Sequence, residues 1–413
     1  VGQYSAPPFA KQLIEKFLGS DYCPLYIHWP PWSAPNPGQR LRLWASRYQG
    51  RGRRTFLRQV FMLALTLTWP LRALILIRQN LRKFAPTIRQ RTGVLVWRQA
   101  REQLWLAFVH ALPPVTYYHY ELYRSEQRAS VDAYIHQYEA SSLLPYLNRY
   151  QCHPAIDDKV AFAHFCAQAG LPTVPILAVG KAGRVTWHAE PQPDLFLKPS
   201  VGARGEGAQR WQLTGERYQT DQGDSFAQSE LTARLAKLSQ TQDYLVQPCL
   251  ANHPAIAELS PGALATVRIV TGCTPDGTIE LIAATFKMAW CPSIINTHGL
   301  NSPIDLTTGL LGRAYSYHPI CTGFAHHPIT AAPLVERRLP DWPAAMTLTQ
   351  QAHRHFPEYV FLGWDVALTP EGPLLLEGNA GWDVLTVQKP QRAPLTDTHF
   401  ATISDLWLQA RRT

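Results

Sequence analysis

What this 413-residue chain lacks narrows its reading first. Its seven cysteines, at 23, 152, 166, 249, 273, 291 and 321, form no CxxC pair and no histidine-linked cluster at zinc spacing. A zinc module and a redox dithiol are therefore excluded, and each cysteine reads as a small hydrophobe in a reducing compartment. The strongest apolar run, 60–71, contains Pro70 and stops at Arg72. A bilayer span needs ~20 apolar residues, so none is expected. The first twenty residues lack a basic start followed by a long apolar stretch. No secretory signal is expected, and a cytoplasmic location fits. No GK[ST] sequence opens a helix, which excludes a Walker loop.

The last absence is of acid. Residues 22–101 hold fifteen Lys and Arg and no Asp or Glu, leaving 24 basic against 30 acidic residues elsewhere. The net charge of +9 is thus concentrated in one segment. Such a block is either a surface for an anionic partner or a solvated basic face.

A chain of this length exceeds a single core, and its texture changes along it. Up to about residue 50 it reads as irregular, because WPPWSAPNPG at 29–38 forbids a continuous helix. Residues 56–83, 93–112 and 121–147 carry apolar side chains at helical spacing, punctuated by Pro70, Pro86, Pro113 and Pro114. From 157 onward a helix closed by Gly170 leads into short β-prone segments: LPTVPILAV, DLFLKPS, DYLVQPCL, ATVRIVTG, TIELIAATFKMAW, YVFLGWDVALT and GPLLLEGN. Helices are expected over 229–240 and 347–356. The mixture predicts an α+β protein behind a mostly helical N-terminal region. The expected division is 1–150, basic and helical; 151–250, a lid with a glycine flap; and 251–413, a catalytic and metal-binding part.

Two stretches carry chemistry. In DLFLKPSVGARGEG a short strand delivers Lys198 into a loop with Gly202, Gly205 and Gly207. Glycines let backbone N–H groups approach phosphate oxygens, while Lys198 and Arg204 add positive charge. An ordinary hairpin loop with an exposed lysine is the plain alternative. In FLGWDVALTPEGPLLLEGN, a three-residue turn at Pro370, Glu371 and Gly372 would pair Thr369 with Pro373 and set Asp365 opposite Glu377. Opposed like charges need a cation, and Asn379 would share their face. Two carboxylates and an amide oxygen suit magnesium completed by phosphates and water. Two hydrated acids at a hairpin end are the alternative. The polar stretch 293–312 offers Asn301 and Asp305 as substrate contacts, against a surface loop. Adjacent His326 and His327 face opposite ways in extended chain and read as surface residues.

In chain order these motifs, from 157 to 386, resemble the ATP-grasp superfamily. HPAIAELSPGALATVRIVTG, GLNSPIDLTTGLL, GWDVAL and LLLEGN resemble, more narrowly, the sugar-transfer-associated ATP-grasp proteins. The resemblance implies two α+β subdomains sandwiching ATP. It makes Lys159 and Lys198 phosphate-binding lysines and the glycine loop a flap. Leu245, Val246, Gln247 and Pro248 become the hinge whose backbone holds adenine. Asp365, Glu377 and Asn379 become the metal ligands, and Arg268 the arginine that steadies the transferring phosphate. Lys287 could assist, although an edge-strand surface lysine is the plainer role. The motif departs from the family at Ala380, Gly381 and Trp382, where proline and glycine are usual.

The resemblance implies an ATP- and magnesium-dependent carboxylate–amine ligase forming ADP through an acyl phosphate, on a saccharide or cell-surface precursor. A kinase-like ATP-grasp phosphotransferase and a nonenzymatic nucleotide-binding scaffold at the membrane are the alternatives. The expected partners are small carboxylate and amine substrates, with no nucleic acid. The basic segment 22–101, with Trp69, Phe56, Phe61 and many leucines, predicts peripheral attachment to an anionic membrane surface. Its alternative is a helical domain that leaves arginine in solvent.

Overall fold

The computed structural model describes residues 36–48, 55–149, 151–191, 193–202, 205–297 and 299–410. Arg204 and the start of the basic segment lie outside these described residues. The chain divides into two compact units. One comprises 1–143 with 318–321 and 392–397; the other holds the remainder.

The first unit is helical, as the sequence predicts, but its boundaries differ. Helix α1, Pro37–Tyr48, occupies sequence expected to be irregular. The prolines end at Pro37, where a first-turn residue needs no N–H partner. Asn36 and Gln39 then cap each other reciprocally, at 2.8 and 3.0 Å. Helix α2 runs unbroken over Thr55–Thr92, through Pro70 and Pro86, which were expected to interrupt it. Trp69, Ala73, Leu76 and Ile77 pack into a core with Ala107, so tertiary burial offsets the lost helical bonds. Gly93, at φ +75°, closes α2 by donating to Arg89 O. Helix α3 follows over Val96–Val109. The expected single helix over 121–147 is three pieces: Ser125–Ala129, Val131–Ala133 and Gln137–Leu147.

The second unit opens with α4, Lys159–Gln168. Asp158 caps it through Val160 N and Ala161 N, and Gly170 closes it at φ +68°, as expected. Two antiparallel sheets follow. The first, ordered β2-β1-β7-β3-β4-β5-β6, uses Ala178–Lys181, Arg184–Trp187, Asp194–Pro199, Gln209–Thr214, Arg217–Thr220, Ser225–Ala227 and Tyr244–Pro248 as β1 to β7. Helix α5, Leu231–Leu238, buries Leu231 and Leu235 against it.

The second sheet, ordered β11-β10-β9-β8-β12-β13, uses Thr266–Cys273, Ile279–Met288, Leu300–Pro303, Tyr315–Ser316, Phe361–Thr369 and Gly372–Asn379 as β8 to β13. All nine residues of β12 are buried. Helix α6, Trp342–Arg354, starts earlier than expected and sets Trp342, Ala345, Leu348 and Ala352 into the same core as Ile269, Trp364 and Val366.

The hairpin register contains a compensated error. The turn has two residues, Pro370 and Glu371, and pairs Thr369 with Gly372 rather than Pro373. A bulge between Asp365 and Val366 restores the register, so Asp365 does oppose Glu377.

Candidate functional site

The antiparallel pairing of β8, β12 and β13 creates a row of charge. Directly opposed residues share a face, and Arg268 opposes Asp365, which in turn opposes Glu377. Arg268 grips Asp365 with two bonds, Nε to Oδ1 at 2.6 Å and Nη2 to Oδ2 at 2.8 Å. Gly363, two residues before Asp365, makes room for that grip. A Cβ there would meet Trp382 Cβ at 2.9 Å and Arg268 Cδ at 3.3 Å. The cation demanded by two opposed carboxylates is thus partly supplied by the protein.

Lys287 corrects the sequence reading. Strand β9 lies between β8 and β10, so this lysine is on no edge, and its Nζ is 3.7 Å from Asp365 Oδ2. Burial alone would raise the Asp365 carboxyl, but Arg268 and Lys287 override it and hold it far below the usual carboxylate range. Burial lowers the Lys287 ammonium, opposed by Asp365.

Gly202 and the two lysines expected to bind phosphate gather here. Lys159 donates to Gly202 O at 2.7 Å and stands 4.0 Å from Glu377 Oε2, linking the loop to the acidic row. Gly202, Gly205 and Gly207 sit at φ +131°, +69° and +73°, which favours glycine at all three. Burial pulls Lys198 down to about 8, with Glu377 opposing the shift and Lys159 adding to it. Asn379 donates to Glu377 Oε1 at 3.3 Å and faces Gly363 across the ladder.

Leu245 of the expected hinge pairs directly with Lys198. Strand β7 lies between β1 and β3, and Leu245 and Val246 are buried there. The Val246 carbonyl accepts from Leu177 N at 2.8 Å. Gln247 donates to Val174 O at 3.2 Å, and Pro248 ends the strand. Asp305 is exposed and spends Oδ1 on Thr307 N, Thr308 N and Thr308 Oγ1, closing its own turn. Asn301 opposes Lys287 and therefore shares its face. His326 is exposed, but His327 is buried with Nε2 2.8 Å from Ala289 O, so only one of the pair is a surface residue.

Sequence reading missed Asp383. Its Oδ2 accepts from Tyr317 OH at 2.7 Å, its Oδ1 from Leu385 N at 2.9 Å, and its charge reaches Arg268. The available signal was its place four residues after Asn379, beyond the departure at Ala380, Gly381 and Trp382.

The donor set fits magnesium in a specific way. Among the described residues no group of three or more His, Cys, Asp or Glu is placed to hold a metal. The protein offers two carboxylates and an amide, which leaves positions for phosphate and water, as magnesium prefers. Glu377, less enclosed than Asp365, and Asn379 are the readier ligands, since Arg268 occupies one lone pair on each Asp365 oxygen.

A family model described as sugar-transfer associated ATP-grasp matches residues 138–401, and the chain belongs to that family. No curated protein matches. Solved structures that align include D-alanine–D-alanine ligase from Helicobacter pylori, at 11% identity and TM-score 0.35, over 61% of this chain and 60% of that one. N5-carboxyaminoimidazole synthetase from Staphylococcus aureus, complexed with ADP, aligns at 10% identity and TM-score 0.32, over 64% of this chain and 57% of that one. The alignment spans 50% of the length of another structure of the same S. aureus enzyme. At these scores the likenesses say nothing about this chain's reaction.

Proposed function

We propose that this member of the sugar-transfer-associated ATP-grasp family is an ATP- and magnesium-dependent carboxylate–amine ligase acting on a saccharide or cell-surface precursor. The observation that carries it is the meeting of Lys159, Lys198 and a positive-φ glycine loop with the Arg268–Asp365–Glu377 row. With Lys287, 3.7 Å from Asp365, these cations around two carboxylates suit a polyanion.

Lys159 and Lys198 would bind the nucleotide phosphates, with the Gly202–Gly207 backbone closing over them. Glu377 and Asn379, assisted by Asp365, would hold magnesium, which would supply charge neutralisation at the phosphates. Arg268 is locked by Asp365 and stays oriented without reorganisation, the property that electrostatic stabilisation of a transferring phosphoryl group requires. A substrate carboxylate oxygen would take the terminal phosphoryl group, releasing ADP. The amine would then attack the acyl carbon, and phosphate would leave as the C–N bond forms. Adenine would be read at the β7 hinge of Leu245, Val246, Gln247 and Pro248, where Leu245 pairs with Lys198. The test is product analysis with candidate amino acids and amino sugars. ADP, phosphate and an amide in equal amounts are expected; AMP and pyrophosphate would overturn the reading, and ADP with a stable phosphorylated product would establish the phosphotransferase instead.

A further inference from the structure

The helical unit carries a surface that the proposed reaction does not use. On α2, Val60, Leu63, Leu67, Leu71 and Leu74 recur every three or four residues, which aligns them in one strip. They are exposed rather than buried, Leu67 to 71% and Leu71 to 60%. The same strip continues toward the helix end as exposed Arg78, Arg82 and Arg89. On α3, Trp97, Trp105 and Phe108 are also exposed, and the Arg101 guanidinium lies 5.4 Å from the Trp97 ring. The helices pack as a hairpin, with Trp69 Nε1 donating to Ala107 O at 2.9 Å and Gln99 Nε2 to Ala85 O at 3.2 Å. That pairing runs the two helices antiparallel, each with exposed apolar side chains of its own.

We propose that this face docks the chain on an anionic lipid surface, with α2 and α3 lying in the interface. Charge and apolarity argue together. Aliphatic side chains with tryptophan and arginine at their margin match the boundary between acyl chains and anionic headgroups. No helix among the described residues is long and apolar enough to cross a membrane, so the helices would lie in the interface rather than span. A second copy fits poorly, because face-to-face packing would oppose rows of arginine, and residues 22–101 offer no carboxylate to neutralise them. Nucleic acid would use the arginines but leave the leucines without a partner. Of the aromatic residues expected at this surface, Trp69 is buried, and the side chains of Phe56 and Phe61 lie outside the described residues.

The test is flotation of the full chain with phosphatidylcholine vesicles, alone or mixed with phosphatidylglycerol. Binding is expected to the mixed vesicles only. R78E/R82E should lower the partition coefficient at least about fivefold per charge, and L67E/L71E should abolish flotation even at low salt. These exposed positions should leave thermal melting unchanged, and K181E in the sheet unit should float like the wild type. The proposal fails if the wild type does not bind mixed vesicles at low salt, or if all variants float equally. It also fails if the chain is a dimer in solution that L67E/L71E converts to a monomer, which would make the face a self-association surface.

Discussion

Two buried arginines, one in each unit, differ in how their charge is closed. Arg42 donates to Glu139 Oε1 at 2.6 Å, Asp132 Oδ1 at 3.2 Å and His110 O at 2.6 Å, and His110 in turn binds Asp132. Its charge is balanced from within by two carboxylates. Arg268 is as tightly held by Asp365, yet Lys287, Lys159, Lys198 and Glu377 crowd beside it. That network has cations to spare and an acid with an open side. The first arrangement is what stability asks of a buried charge; the second is what a polyanionic ligand asks of a site.

Breaking the closed network should have the largest energetic effect. Arg42→Ala removes the cation between Glu139 and Asp132 and should cost about 3–5 kcal/mol, read as a lower urea midpoint. Nucleotide affinity per folded molecule should not change; if it fell while stability held, the contrast between the arginines would collapse. Glu377→Gln should do the reverse. Turnover in magnesium should fall about a hundred- to a thousandfold, with the urea midpoint nearly unchanged because Glu377 is partly exposed.

A gentler probe is pH. Burial depresses Lys198 from 10.5 to about 8. Below 8 both folded and unfolded chains carry the proton, so the cost of burying the ammonium is fully present. Between 8 and 10.5 the unfolded chain binds more protons, so this group's contribution to ligand-free stability improves as pH rises. Nucleotide affinity should move oppositely, weakening above pH 8 as the charge is lost. Fluorescent-nucleotide titrations at pH 7 and 9 check this, and Lys198→Met should flatten the pH dependence. The smallest effect is expected at Asp305, whose carboxylate is used within its own turn. Asp305→Asn should change turnover less than about twofold; a larger loss in a steady-state assay would return it to the substrate site.

Legibility followed the range of the interactions. The α4 helix with its Gly170 stop, the strands β3, β7, β8, β9, β12 and β13, and the glycine loop were readable because helix stops, turns and side-chain alternation act within a few residues. The pairing of Asp365 with Glu377 was readable for the same reason, although a two-residue turn and a bulge replaced the expected three-residue turn. Helix α2 was misread because local proline chemistry was overruled by distant packing around Trp69 and Ala73.

The sequence by itself determined the elements, their order and the types of charge available, since these follow from local propensity and composition. Only the tertiary structure decided which charges meet. Arg268 and Asp365 are 97 residues apart, and their contact exists because β8 and β12 became neighbours in one particular register. The same strand order turned Lys287 from an apparent edge residue into a partner of Asp365 and brought Asp383 within reach of Arg268. Long-range strand pairing is set by the summed burial of whole sheets, which no short stretch of sequence records.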